Sequence, residues 1–241
     1  MKLIIALIIL SIAGVVFFNA CNSCGKSGSG HLTMETRNVK PFTKISIEGV
    51  FPVELSQDGG AEWVKVEADD NLQDMIIVEN QDDELVVKSN EDESVFKARK
   101  MKVYINIKNL TDLDFKSVGA LTTVNQLKLD SLELNSESVG KLKLDIKADF
   151  IRTNLNSVGA TVLKGEVREA RINNKSVGSL SAYDLKAGTL MIHNMGIGNV
   201  EIYADSAFYI RSSSVGALNY KGPGEVKELK TEGIGKVTKV Q

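Results

Sequence analysis

The tripeptide Ser117-Val118-Gly119 returns as Ser138-Val139-Gly140, Ser157-Val158-Gly159, Ser176-Val177-Gly178 and Ser214-Val215-Gly216. It returns twice more as Gly-Ile-Gly, at Gly196-Ile197-Gly198 and Gly233-Ile234-Gly235. From glycine to glycine the intervals are 21, 19, 19, 20, 18 and 19 residues. So steady a period says that one small unit is being stacked.

Aligned on the final glycine, each copy carries Leu121, Leu142, Thr161, Leu180, Val200, Leu218 or Val237 two residues later. Six residues earlier stands Leu113, Leu134, Thr153, Ile172, Ile192, Ile210 or Leu229. Both threonines fall in one copy, which has Ile151, Leu155 and Leu163 nearby, so a local register shift is expected there. The Val or Ile before the glycine reads as facing inward. The glycines Gly119, Gly140, Gly159, Gly178, Gly198, Gly216 and Gly235 read as corners, where φ is positive or a Cβ would strike the next rung. The short serine hydroxyl is placed to hydrogen-bond along the stack. Asn135, Asn156, Asn173, Asn174 and Asn194 gather just upstream, where amides can ladder between rungs.

Helical repeats run to about 34 residues or more, and propeller blades to about 40. Leucine-rich repeats carry a signature that is absent here. The expected fold is therefore all-β: a parallel, right-handed β-helix or β-solenoid of about seven rungs, with a period near 19–20 residues. A β-rich N-terminal part of the same domain precedes it. There Ile45 and Ile47, Val53 and Leu55, Val64 and Val66, and Val103, Ile105 and Ile107 alternate with polar residues, as half-buried strands do. Asn71–Ile76 reads as a short helical turn capped by Asp70 or Asn71, and Ser89–Lys100 as a charged loop.

The first residues stand outside this pattern. Lys2 precedes the apolar run Leu3–Phe18, sixteen residues long. A membrane span needs about 20, and an export signal fewer. Ala20-Cys21 at its end is similar to a bacterial lipoprotein cleavage site, which assigns residues 1–20 to the signal and lipidation to Cys21. An uncleaved anchor and plain secretion are the alternatives. Cys24 is the second candidate for acylation, or else a free thiol. Residues 21–32, rich in Gly and Ser, read as a flexible tether to the domain at 33–241. Asn22 in place of Asp, with no acid close behind, directs such a protein to the outer membrane, at its periplasmic face or the cell surface.

The stretch Phe42–Leu55 (Phe-Thr-Lys-Ile-Ser-Ile-Glu-Gly-Val-Phe-Pro-Val-Glu-Leu), the stretch Val64–Leu72 and the repeated small-hydrophobic-Gly corners resemble the DUF2807 family, the autotransporter adhesin head GIN domain. The resemblance spans about residues 40–240. It implies an all-β envelope protein with parallel β-helical character, no established reaction, and a role in adhesion.

The residues give little chemistry of their own. With 29 Lys and Arg against 31 Asp and Glu, the formal net charge is −2, which leaves no basic surplus for nucleic acid. His31 and His193 have no second ligand at metal spacing, so no metal or other cofactor is expected. The serines of the repeat lack a histidine base, and seven near-copies speak of architecture rather than catalysis. Asp112, Asp114, Asp130, Glu133, Glu137, Asp145 and Asp149 interleave with lysines as a solvated face would. A glycan-active enzyme using two of these acids is the alternative to a non-enzymatic protein, and a purely structural envelope protein is a third. Tyr183, Tyr203 and Tyr220 lie 20 and 17 residues apart and form the candidate binding face for an envelope glycan or protein. The open ends of a parallel stack leave room for a homodimer.

Overall fold

The computed structural model describes residues 25–90 and 95–241. The expected signal and both cysteines lie outside them. The described chain is 69% strand and forms a β-solenoid of about seven turns. Strands Ser131–Ser136, Val139–Leu155, Val158–Asn174, Val177–Asn194 and Val200–Ser212 stack in parallel, each on the one before. Asp112–Ser117 and Leu121–Thr123 continue the stack toward the N-terminus onto Lys44–Gly49 and Val53–Ser56.

Alternation inside the strands builds the core. Ile45, Leu113, Leu134, Thr153, Ile172, Ile192 and Ile210 pair in register through seven strands. Val53, Leu121, Leu142, Thr161, Leu180, Val200 and Leu218 do the same on the next face. All of these side chains are buried. The two threonines themselves stay in register with their neighbours, because a β-branched threonine fits a strand as valine does. The register shift of that copy falls just after them, between Val162 and Gly165, where its strand pairs with the next.

The corner corrects a second expectation. The serines point inward and are buried, whereas Val118, Val139, Val158, Val177, Ile197 and Val215 point outward. The reason is parity. The core positions stand at even offsets from the glycine and the Val or Ile at an odd one, so a period of two puts them on opposite sides. Ser136 and Ser138 each share a hydrogen bond with Ser157, at 3.0 and 3.1 Å, and Asn174 Nδ2 donates to Asn194 Oδ1 at 2.8 Å. These groups form a buried polar spine in which each hydroxyl or amide finds its partner one turn away. At Gly159 φ is +135°, and a Cβ there would overlap the carbonyl oxygen of Gly140. Gly140, Gly178, Gly198 and Gly216 also have positive φ, between +125° and +144°.

The N-terminal part seals the first turn. Leu32–Arg37 pairs antiparallel with Trp63–Asp69, which pairs antiparallel with Met101–Asn106. Ile76–Gln81 pairs antiparallel with Glu84–Ser89. Across the end lies a 3-10 helix, Asp70–Met75, with Leu72 and Met75 buried beneath it. Its N-cap is Asp69, whose side chain makes no capping bond. Instead the buried Asp69 carboxylate accepts the Gly30 N–H at 2.8 Å and the Arg99 N–H at 2.7 Å. The stretch read as tether is thus partly docked: Lys26–Ser27 pairs with Val95–Lys97, and Asn71 Nδ2 donates to the Ser27 carbonyl at 2.9 Å. Val95–Lys97 is a strand within the segment read as a charged loop.

Candidate functional site

The straight segment before each corner presents two outward columns. Residues seven before the glycine form one: Asp112, Glu133, Arg152, Arg171, Met191, Tyr209. Residues five before it form the other: Asp114, Asn135, Asn154, Asn173, His193, Arg211. The core residues between them fix both in register, so the face is flat and periodic.

The second column is an amide ladder. Asn135 Nδ2 donates to Asp114 Oδ1 at 2.7 Å, Asn154 Nδ2 to Asn135 Oδ1 at 2.8 Å, and Asn173 Nδ2 to Asn154 Oδ1 at 2.8 Å. Asn135 and Asn154 each spend one donor and one acceptor on their neighbours and keep a second of each for solvent or a ligand, while Asn173, at the end of the ladder, spends one donor. Beside it the Arg152 and Arg171 guanidinium groups stand 5.8 and 5.3 Å from the Phe150 ring centroid. Arg171 Nε donates to Glu169 at 2.7 Å, while Arg152 lies 3.9 Å from Glu133, beyond hydrogen-bond reach. Further along, Arg211 forks onto Glu228 at 2.8 and 3.3 Å, and this pairing holds the Glu228 carboxyl below its usual range. The arginines, Tyr209 and His193 line a shallow depression of about 560 Å³. Such a face can hydrogen-bond and stack on a ligand along several turns.

The other candidates are placed differently. Tyr183 and Tyr203 lie outward near each other, but the Lys221 ammonium covers Tyr183 at 4.3 Å and the Lys186 ammonium covers Tyr203 at 3.7 Å. Tyr220 pairs with the inward Ile202 and packs edge-on against Phe208, centroids 5.2 Å apart, so the three rings do not share one platform. The seven acids are dispersed. Asp112 and Glu133 stack in the arginine column, Asp114 heads the amide ladder, and Asp145 takes a bond from Gln126 at 2.9 Å on another face. Asp130 and Asp149 lie in a groove of about 860 Å³, flanked by Lys128, Lys147 and Arg168. His193 stands in the amide column, and His31 lies 3.8 Å from Asp70. Among the described residues no three His, Cys, Asp or Glu form a metal-binding group.

The arginine column went unread in the sequence, although its signal was there. Arg152 and Arg171 each stand seven residues before a corner glycine.

Residues 41–224 match the family described as "Putative auto-transporter adhesin, head GIN domain", DUF2807. The chain belongs to this family. Among solved structures, a "putative adhesin" from Bacteroides fragilis is similar to this DUF2807 chain at 25% identity and a TM-score of 0.84, over 90% of this chain and 100% of that one. A "putative adhesin" from Parabacteroides merdae shares the fold at 22% identity and a TM-score of 0.61, over 90% and 99%. A "putative lipid binding protein" from Parabacteroides distasonis does so at 18% and 0.66, over 90% and 99%. No functionally curated protein matches the chain. The DUF2807 match takes in both outward columns as far as Arg211, and it stops before the last strands.

Proposed function

We propose that this DUF2807 protein is an exported, lipid-anchored envelope protein of the outer membrane that binds a glycan or protein ligand without chemical turnover. The observation that carries this reading is the amide ladder over Asn135, Asn154 and Asn173 with Arg152 and Arg171 beside it. It offers a flat, repeated set of donors and acceptors with no nucleophile–base pair among them. The adhesin descriptions of the family and of the similar Bacteroides fragilis structure support it, and Ala20-Cys21 after the apolar run supports the anchor.

Two measurements test the two halves. Palmitate labelling of the full chain in a diderm host should be lost in Cys21→Ser and kept in Cys24→Ser; the reverse pattern moves the anchor, and labelling of neither removes it. The detergent-extracted protein, probed on arrays of envelope glycans and proteins, should bind a subset, and Arg152→Ala/Arg171→Ala should weaken that binding at least about tenfold. Unchanged binding in the double variant would take the ligand off this face, and cleaved glycan products would overturn the non-enzymatic reading.

A further inference from the structure

The outward corner residues form a surface that the proposed ligand face does not use. Val118, Val139, Val158, Val177, Ile197 and Val215 are each 47 to 53% exposed. They pair in register from one turn to the next. At about 4.8 Å per strand the six make a ridge about 24 Å long. Contacts between β-branched neighbours account for their stacking on one another, but not for leaving an unbroken aliphatic line in water, which in soluble proteins marks an interaction site. Beside the ridge runs a furrow, the column Gly140, Gly159, Gly178, Gly198 and Gly216, where no side chain projects.

We propose that a second copy of this chain covers the ridge, the two solenoids lying side by side and parallel about a two-fold axis along the stack. This symmetry exchanges ridge and furrow at every turn, so each line of valines enters the other copy's line of glycines. A two-fold perpendicular to the stack would set ridge on ridge instead.

Charge points the same way. The parallel arrangement brings the outward residue two before each ridge residue toward the partner's residue just past the furrow on the same turn, one position off exact opposition and within the reach of a long side chain. Glu137 then faces the partner's Lys141, and Glu232 faces the partner's Lys236. Lys116 faces the partner's Ala120 and Lys175 the partner's Ser179, so no like charges meet. Among the described residues, Glu137, Lys141, Glu232 and Lys236 enter no ion pair of their own chain. Both N-terminal caps come to the same end, as two chains anchored at Cys21 in one membrane require; that point alone rests on the proposed anchor.

The footprint, about 24 Å by the ~13 Å that four extended residues span, is well below the ~800 Å² per partner of a standard interface. Pairing is accordingly weak in dilute solution and favoured where chains are concentrated on a membrane.

The test uses full-length chain in membranes, with Cys24→Ser as background and one new cysteine at a time. Under mild oxidation Val158→Cys and Val177→Cys should each form disulfide dimers at least about tenfold faster than the outward control Lys147→Cys, which lies in the groove beside Asp130 and Asp149. Glu137→Lys should slow this cross-linking and Glu137→Lys/Lys141→Glu restore it. Differently tagged Val118→Cys and Val215→Cys chains, co-expressed, should give no mixed dimer. Protease resistance confirms that each variant is folded, and two independent positions guard against the loss of one. Cross-linking at both positions no faster than the control, or an abundant mixed dimer, overturns the proposal. Dimers in the background chain itself would show a free Cys21 thiol, and would fault the anchor rather than the ridge.

Discussion

The two ends of the solenoid are built in opposite ways. At the N-terminal end antiparallel strands turn back over the first rung, the 3-10 helix Asp70–Met75 lies across the core, and Leu72 is fully buried under it. The Asp69 carboxylate ties three separate segments together there. At the C-terminal end Glu225–Thr231 and Lys236–Lys239 each pair with one strand only, among the described residues. Leu229, which stands in the core column, is 50% exposed, and Ile234 is 88% exposed. Lysines 227, 230, 236 and 239 line these edges, charges of the kind that discourage further strand addition. The contrast shows where stability resides. In a stack each turn is held by its neighbours, so an interior turn has two interfaces to lose, a capped turn has one interface and a lid, and the last turn has one interface alone.

The largest effect should come from one substitution made at two depths. Gly159→Ala forces an L-residue to φ near +135° and drives a methyl group into the Gly140 carbonyl, with strands fixed on both sides. A cost above about 4 kcal/mol is expected, a large part of the 5–15 kcal/mol typical of a whole domain. Gly235→Ala also meets the Gly216 carbonyl, but at a φ that is not positive, and the last turn can lift away, so about 1 kcal/mol is expected. Urea unfolding followed by circular dichroism measures both. Equal costs would mean that the end is as rigid as the middle.

A truncation pair asks the same of the lids. Leu72→Ala should cost about 3 kcal/mol through the cavity it leaves under the cap. Leu229→Ala, half in water already, should cost less than about 1 kcal/mol. A comparable loss at Leu229 in thermal unfolding would mean that something covers the C-terminal end.

The cap should also carry more of the acid sensitivity. Glu67 accepts from the Lys100 ammonium at 2.8 Å and from the Tyr104 hydroxyl at 2.6 Å, and the Lys100 bond, then the Tyr104 bond, hold its carboxyl below the ordinary range. A depressed carboxylate stabilises the fold fully above its unfolded pKa, about 4.3, and that contribution disappears as pH falls through the lower folded value. Glu67→Gln should therefore flatten the fall of the melting temperature below about pH 4.3. Glu228 is depressed as well, by Arg211 first and then Lys230, yet it ties only the last turns. Glu228→Gln should leave the global melt unchanged and speed hydrogen exchange in Glu225–Thr231.

Much of this architecture was legible in the sequence, because a repeat states its rules several times over. The rung length, the glycine corners, the two core columns and the stacking of serines and asparagines all follow from residues that recur at fixed offsets. The orientation of Val158 and its equivalents is legible too, through the parity of those offsets, although their hydrophobicity alone points the other way. The cap was not legible. Leu32–Arg37 pairs with Trp63–Asp69 across some 30 residues of chain, and nothing local in either strand names its partner. Nor does composition show that Gly30 gives its N–H to a buried aspartate. The arginine column stood in between: its spacing was visible, but its meaning needed the strands on either side.

Thr153 gives the smallest and most discriminating test. It lies between Leu134 and Ile172 in an interior turn, 1% exposed, and its hydroxyl is the one buried side-chain polar atom among the described residues without a hydrogen-bond partner. An orphaned hydroxyl in an apolar column costs free energy that valine, of nearly the same shape, would not incur. Thr153→Val should raise stability by about 1 kcal/mol. Thr153→Ser keeps the hydroxyl and removes the methyl group, and should lower stability by about as much. Opposite signs at this one site, in denaturant midpoints, would show that an interior turn, gripped on both sides, registers a single atom. The same threonine at the open end could turn its hydroxyl to water and would show neither change.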